Sequence, residues 1–121
     1  MARILLADDD AATRDLVRRA LEGDGHAVEV TQDGGEALDR VKRGGTPKFD
    51  LLVSDVEMPL IDGIELAEQA ASLQPGLRVL LMSGFADQLE RAKTLKGPRV
   101  GVLSKPFTLD QVRATVRKLL A

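Results

Sequence analysis

The sequence predicts an α/β domain built on an open parallel sheet, and three observations lead there. Apolar, strand-like runs alternate with amphipathic, helix-like stretches along the whole chain, five of each. Such alternation implies right-handed crossovers and a parallel sheet covered by helices on both faces. The runs Leu51-Leu52-Val53 and Val79-Leu80-Leu81-Met82 are continuously apolar, as strands buried on both sides must be. Finally, 121 residues is the usual size of one domain, so residues 1–121 are read as a single unit.

Residues 3–7 form the first strand. Asp10 is placed to cap the helix that follows, whose apolar stripe is Leu16, Val17, Ala20 and Leu21. Gly23-Asp24-Gly25 stops that helix. Residues 27–30 make a short, partly alternating strand that belongs near a sheet edge. Gly34-Gly35 opens the second helix, with Ala37, Leu38 and Val41 on its apolar face, and Gly44-Gly45-Thr46-Pro47 ends it. The third strand is 51–54. Met58-Pro59 turns the chain, Asp62-Gly63 opens the helix 64–73, and Pro75-Gly76 closes it. A fourth strand, 77–82, precedes a short helix over 86–96 stopped by Gly97-Pro98. Its apolar content is thin: Ala86, Leu89, Ala92 and Leu95. The fifth strand is 100–104. Thr108 caps the last helix, where Leu109, Val112, Val116, Leu119 and Leu120 form the buried stripe.

Composition narrows the function. The net charge is −2 and there is no basic stripe, which argues against nucleic acid as a direct partner. With no Cys, disulfides and thiolate metal sites are impossible. No Trp or Tyr is present, so aromatic platforms for bases or sugars are not expected. Met1-Ala2-Arg3 leads straight into a strand, and no apolar run is long enough for a signal-peptide core or a membrane span. A cytoplasmic location without membrane contact is the expectation.

The chemistry lies at the strand ends. The first strand runs into Asp8-Asp9-Asp10, the third into Asp55, the fourth into Ser83, and the fifth into Lys105 followed by Pro106. In an open parallel sheet these ends share one edge, where ligands bind in such folds. Clustered carboxylates must take up protons or recruit a cation. Asp8 and Asp9 suit a hard divalent ion, Mg²⁺ by the choice of oxygen ligands. Asp55 is the candidate nucleophile, since a carboxylate can take a phosphoryl group as an acyl phosphate. The Ser83 hydroxyl and the Lys105 amine would serve the phosphoryl oxygens, and the small Gly84 keeps the pocket open. Each feature alone has a plainer role: a solvated helix start, a capped turn, a loop beginning. Their joint occurrence at four strand ends is what points to a phosphoryl site.

The stretches Ile4-Leu5-Leu6-Ala7-Asp8-Asp9-Asp10, Leu51 to Pro59 with Asp62-Gly63, Leu80-Leu81-Met82-Ser83-Gly84 and Leu103-Ser104-Lys105-Pro106-Phe107 resemble the receiver domain of two-component response regulators over essentially the whole chain. The resemblance implies a flavodoxin-like, doubly wound five-stranded sheet of order 2-1-3-4-5. It implies phosphorylation by a histidine kinase or a histidine phosphotransfer protein. It places the phosphoacceptor at Asp55, the metal acids at Asp8 and Asp9, a switch hydroxyl at Ser83 and a phosphate-binding amine at Lys105. The main-chain carbonyl of Glu57 completes the metal shell, and Asp10 is left as a cap. Val102 stands where the family commonly has an aromatic or His, so the usual aromatic–hydroxyl coupling is in question. A narrower likeness, through Asp62 to Ala67, Met82 to Ala86 and Val102 to Pro106, is to single-domain regulators of the CpdR type, which control a ClpXP-type protease pathway.

The leading expectation is therefore a signalling switch acting by protein contact and not a multiple-turnover enzyme. The partner face is assigned to the segments 86–96, 100–104 and 108–120. A phosphoryl shuttle in a phosphorelay is the alternative within signalling. A small phosphatase of the haloacid-dehalogenase type is the alternative among enzymes, with Glu57 as its second acid. A piece of a longer regulator fits the same residues. The single histidine, His26, lies at a loop–strand junction with no activating partner nearby and is read as structural.

Overall fold

The computed structural model describes residues 2–43, 48–95 and 99–121. These form β1 (Arg3–Ala7), α1 (Ala11–Gly23), β2 (Ala27–Thr31), α2 (Gly34–Lys42), β3 (Leu51–Asp55), α3 (Gly63–Leu73), β4 (Arg78–Ser83), α4 (Ala86–Lys93), β5 (Val100–Ser104) and α5 (Leu109–Leu120). The sheet is parallel throughout, in the order β2-β1-β3-β4-β5. The partly alternating β2 is an edge strand, as its sequence predicts.

Side-chain alternation along each strand splits the interior in two. Ile4, Leu6, Leu51, Val53, Leu80 and Met82 face α1 and α5, meeting Val17, Ala20, Leu21, Val112 and Val116. Leu5, Ala7, Leu52, Val79 and Leu81 face the other way, onto Ala37, Leu38 and Val41 of α2, Leu66, Ala67 and Ala70 of α3, and Ala92 of α4. The runs at 51–53 and 79–82 are buried on both faces. Each such Leu or Val contributes roughly 2 kcal/mol of burial.

Caps set the helix starts. Asp10 accepts from the Thr13 N–H (2.9 Å), Asp33 from Glu36 (2.7 Å), Asp62 from Glu65 (2.9 Å), and Thr108 from Gln111 (3.1 Å) in a full capping box. Gly25 and Gly76 take φ of +88° and +94° at the exits of α1 and α3, a conformation that favours glycine. Two readings of the sequence shift. Leu16 is 40% exposed, because the buried stripe of α1 begins at Val17. Helix α4 ends at Lys93 and not at 96: the Thr94 hydroxyl and N–H both turn back to the Arg91 carbonyl. The stops assigned to Gly44-Gly45-Thr46-Pro47 and Gly97-Pro98 lie outside the described residues.

Candidate functional site

The carboxyl ends of β1, β3, β4 and β5 meet on one edge of the sheet, as the parallel ladder requires. Asp55 is the last residue of β3, opposite Met82 of β4, and Ser83 lies opposite Ser104 of β5. Asp8, Asp9 and Asp55 each bring a carboxylate oxygen within 4.8 Å of the others. Lys105 reaches in from beyond β5, its Nζ 3.2 Å from Asp55 Oδ2. The Lys105–Pro106 peptide bond is cis.

Close backbone packing fixes Asp55. The Gly63 N–H donates to the Val56 carbonyl at 2.8 Å, drawing the start of α3 against the end of β3. A Cβ at Gly63 would stand 2.2 Å from the Asp55 carbonyl oxygen. No side chain fits there, which explains the Asp62-Gly63 pair physically. On the other flank Gly84 is exposed, with Lys105 Cβ 3.6 Å from where its own Cβ would lie.

Electrostatics follow burial. Asp8 is fully buried, and desolvation pushes its carboxyl up to about 6, against the lowering effect of the Asp10 N–H, which donates to Oδ1 at 2.9 Å. Asp55 is also raised by burial, an effect opposed by the Lys105 ammonium and by the Glu57 N–H. Asp8 Oδ2 is buried and has no hydrogen-bond partner among the described residues. An orphaned buried carboxylate oxygen beside two more carboxylates is the donor set a hard divalent cation completes. The residues present therefore fit Mg²⁺.

Ser83 stands at the site's edge, but its hydroxyl is turned to the loop after β4. It donates to Gln88 Oε1 at 2.6 Å and accepts from the Phe85 N–H at 3.0 Å. Glu57 is exposed in the turn after β3. Asp10 is the α1 cap and not part of the cluster. His26 Nδ1 accepts from the Ala2 N–H at 3.1 Å, a structural role. The sequence reading missed Gln88. Its signal was only a polar residue in the first turn of a helix whose N-cap position is a phenylalanine.

A sequence profile of the response regulator receiver domain matches residues 4–117. The chain belongs to the response regulator receiver family. This receiver is 39% identical over 118 residues to the response regulator MprA of Mycolicibacterium vanbaalenii, covering 98% of the chain and 50% of that protein. The Mycobacterium leprae MprA is 40% identical over the same length and coverage. The receiver thus spans about half the length of these relatives. Among solved structures, it is similar to the chemotaxis response regulator CheY4 of Vibrio cholerae (TM-score 0.85, 28% identity, 99% of each chain). It is also similar to the receiver domain of the hybrid histidine kinase CckA (TM-score 0.80, 31% identity, 98% of this chain and 99% of that one). Receiver domains bind Mg²⁺ in an acidic pocket, and here Asp8, Asp9 and Asp55 form an acidic cluster whose carboxylate oxygens lie within 4.8 Å of one another. Among the described residues no helix is long and apolar enough to cross a membrane.

Proposed function

We infer that this receiver is a phosphorylation-dependent switch whose phosphoacceptor is Asp55. The observation that carries the reading is the pairing of a buried Asp55 with Lys105 at 3.2 Å, beside two further carboxylates and one orphaned oxygen. The donor is a phosphohistidine on a kinase or a phosphotransfer protein. An Asp55 oxygen bonds to phosphorus as the donor P–N bond breaks, and its electron pair returns to the imidazole. Lys105, already aimed at Asp55, balances the added charge on the phosphoryl oxygens. Asp8, Asp9, Asp55 and the Glu57 main-chain carbonyl would hold Mg²⁺. When bound, that ion neutralises phosphoryl charge. Ser83 donates its hydroxyl to a phosphoryl oxygen, a charge-assisted bond stronger than its present one.

The test is incubation with acetyl phosphate and Mg²⁺, read by intact mass. One phosphoryl adduct is expected, absent in Asp55→Asn. An undiminished adduct in that variant overturns the assignment. Multiple turnover of a phosphomonoester would instead favour the phosphatase reading.

Output runs through protein contact on the face of α4, β5 and α5. In support, β5 is an edge strand and only partly covered. A groove of about 540 Å³ between β5 and α5 is lined by Val100, Gly101, Val102, Ala114, Thr115, Lys118 and Leu119. The likeness to CpdR-type regulators makes control of proteolysis the first output to test, by comparing protease-partner binding with and without beryllofluoride. A shuttle would show no such difference.

A further inference from the structure

We propose that Gln88 is the positioning residue that couples the Ser83 hydroxyl to helix α4, holding that hydroxyl off the phosphoacceptor until a phosphoryl oxygen accepts its hydrogen bond instead. The proposal rests on the reading of Asp55 as phosphoacceptor.

A serine hydroxyl has one proton to donate. In Ser83, only 1% exposed, that proton is directed to Gln88 Oε1 at 2.6 Å. The alternative acceptor, the Phe85 carbonyl, lies much farther away, at 3.5 Å. A hydroxyl that donates to Gln88 does not simultaneously donate to a phosphoryl oxygen on Asp55. The two acceptors compete for the same proton, and the anionic one is the stronger.

What Gln88 loses in that exchange is structural. Helices α1, α2, α3 and α5 each begin on an Asp or Thr whose side chain accepts an N–H of the first turn. Helix α4 begins on Phe85, which cannot do so. Its start is held by Ser83: the hydroxyl accepts the Phe85 N–H at 3.0 Å and donates to Gln88 in the first turn. Ser83 is thus a cap supplied from the end of β4, and Gln88 is its grip on the helix. Elsewhere α4 is weakly anchored. Ala92 is its one fully buried residue, and the exposed Arg91–Asp62 pair at 3.1 Å contributes little. When the proton turns to a phosphoryl oxygen, the first turn of α4 loses its Gln88 bond to Ser83, while the hydroxyl oxygen can still accept the Phe85 N–H. Chemistry at Asp55 is thereby converted into loosening of residues 85–91.

The test uses beryllofluoride with Mg²⁺ as the phosphoryl mimic. Gln88→Met keeps the length and helix propensity of the side chain but removes the acceptor; Gln88→Ala is the second variant. Removing the competitor should tighten beryllofluoride binding about three- to tenfold, the range of one neutral hydrogen bond. Beryllofluoride should accelerate hydrogen exchange at 85–91 in the parent; in both variants that exchange should already be fast and change little further. In a Ser83→Ala background the effect of Gln88→Met on affinity should vanish, which a merely structural role would not produce. Parent and Gln88→Met binding beryllofluoride equally, or the same Gln88 effect with and without Ser83, overturns the proposal alone. A parent that takes no beryllofluoride overturns the phosphoacceptor reading and the proposal with it.

Discussion

Asp8 ionises at a cost that the fold carries. Its carboxyl titrates near 6 in the folded chain, against 3.8 for the free group, because burial disfavours the charge. The folded state therefore holds the proton more tightly than the unfolded one, and stability falls as pH rises from about 4 to above 6. The full cost at pH 7 is on the order of 3 kcal/mol. Asp8→Asn should then raise the melting temperature of the metal-free protein at pH 7 by on the order of 10 °C. It should do almost nothing at pH 4, as melts in EDTA at the two pH values will show. Gly63 is the second such residue. Placing a methyl 2.2 Å from the Asp55 carbonyl oxygen forces β3 and α3 apart. Gly63→Ala should cost about 3 kcal/mol in urea unfolding and slow acyl-phosphate formation, because Asp55 moves with its backbone. Asp8, Asp55 and Lys105 were legible in the sequence because strand ends in a parallel sheet must share an edge. The orphaned oxygen of Asp8 was not, since it depends on which way one carboxylate turns.

Elements differ in how firmly they are tied. Helices α1 and α5 hold each other: Arg117 makes a bidentate pair with Asp24 at 2.8 and 2.6 Å, and Arg113 donates to the Ala20 carbonyl at 3.1 Å. Helix α4 has eight residues and one buried side chain. Hydrogen exchange should rank it fastest of the helices, with α3 and α5 slower. Protection over 86–93 equal to that of α3 would refute the ranking. Helix existence and most boundaries could be read because apolar spacing and capping residues agree in α1, α3 and α5. The end of α4 could not, because its stop is a threonine hydroxyl bonding three residues back, which any helix interior can also show. The exposure of Leu16 was likewise hidden, since an apolar residue at helical spacing does not say where the neighbouring helix stops covering it.

On the scale of the whole molecule, a cation held by the acidic cluster would oppose unfolding. An ion that binds only the assembled Asp8, Asp9 and Asp55 cluster stabilises the chain by mass action, so Mg²⁺ should raise the melting temperature with rising concentration. Asp9→Ala should erase that gain. A melting temperature indifferent to Mg²⁺ in the parent would mean the cluster is not a cation site. The division of the interior by the sheet has a further consequence, in the order of synthesis. The face presented by Leu6, Val53, Leu80 and Met82 is roofed by α1, made early, and by α5, made after every strand. On the ribosome the opposite face can be covered by α2, α3 and α4 while half of this one is still bare. Until residues 109–120 emerge, the nascent chain displays a strip of leucine, valine and methionine to whatever is nearby, and chaperone capture should peak in that interval.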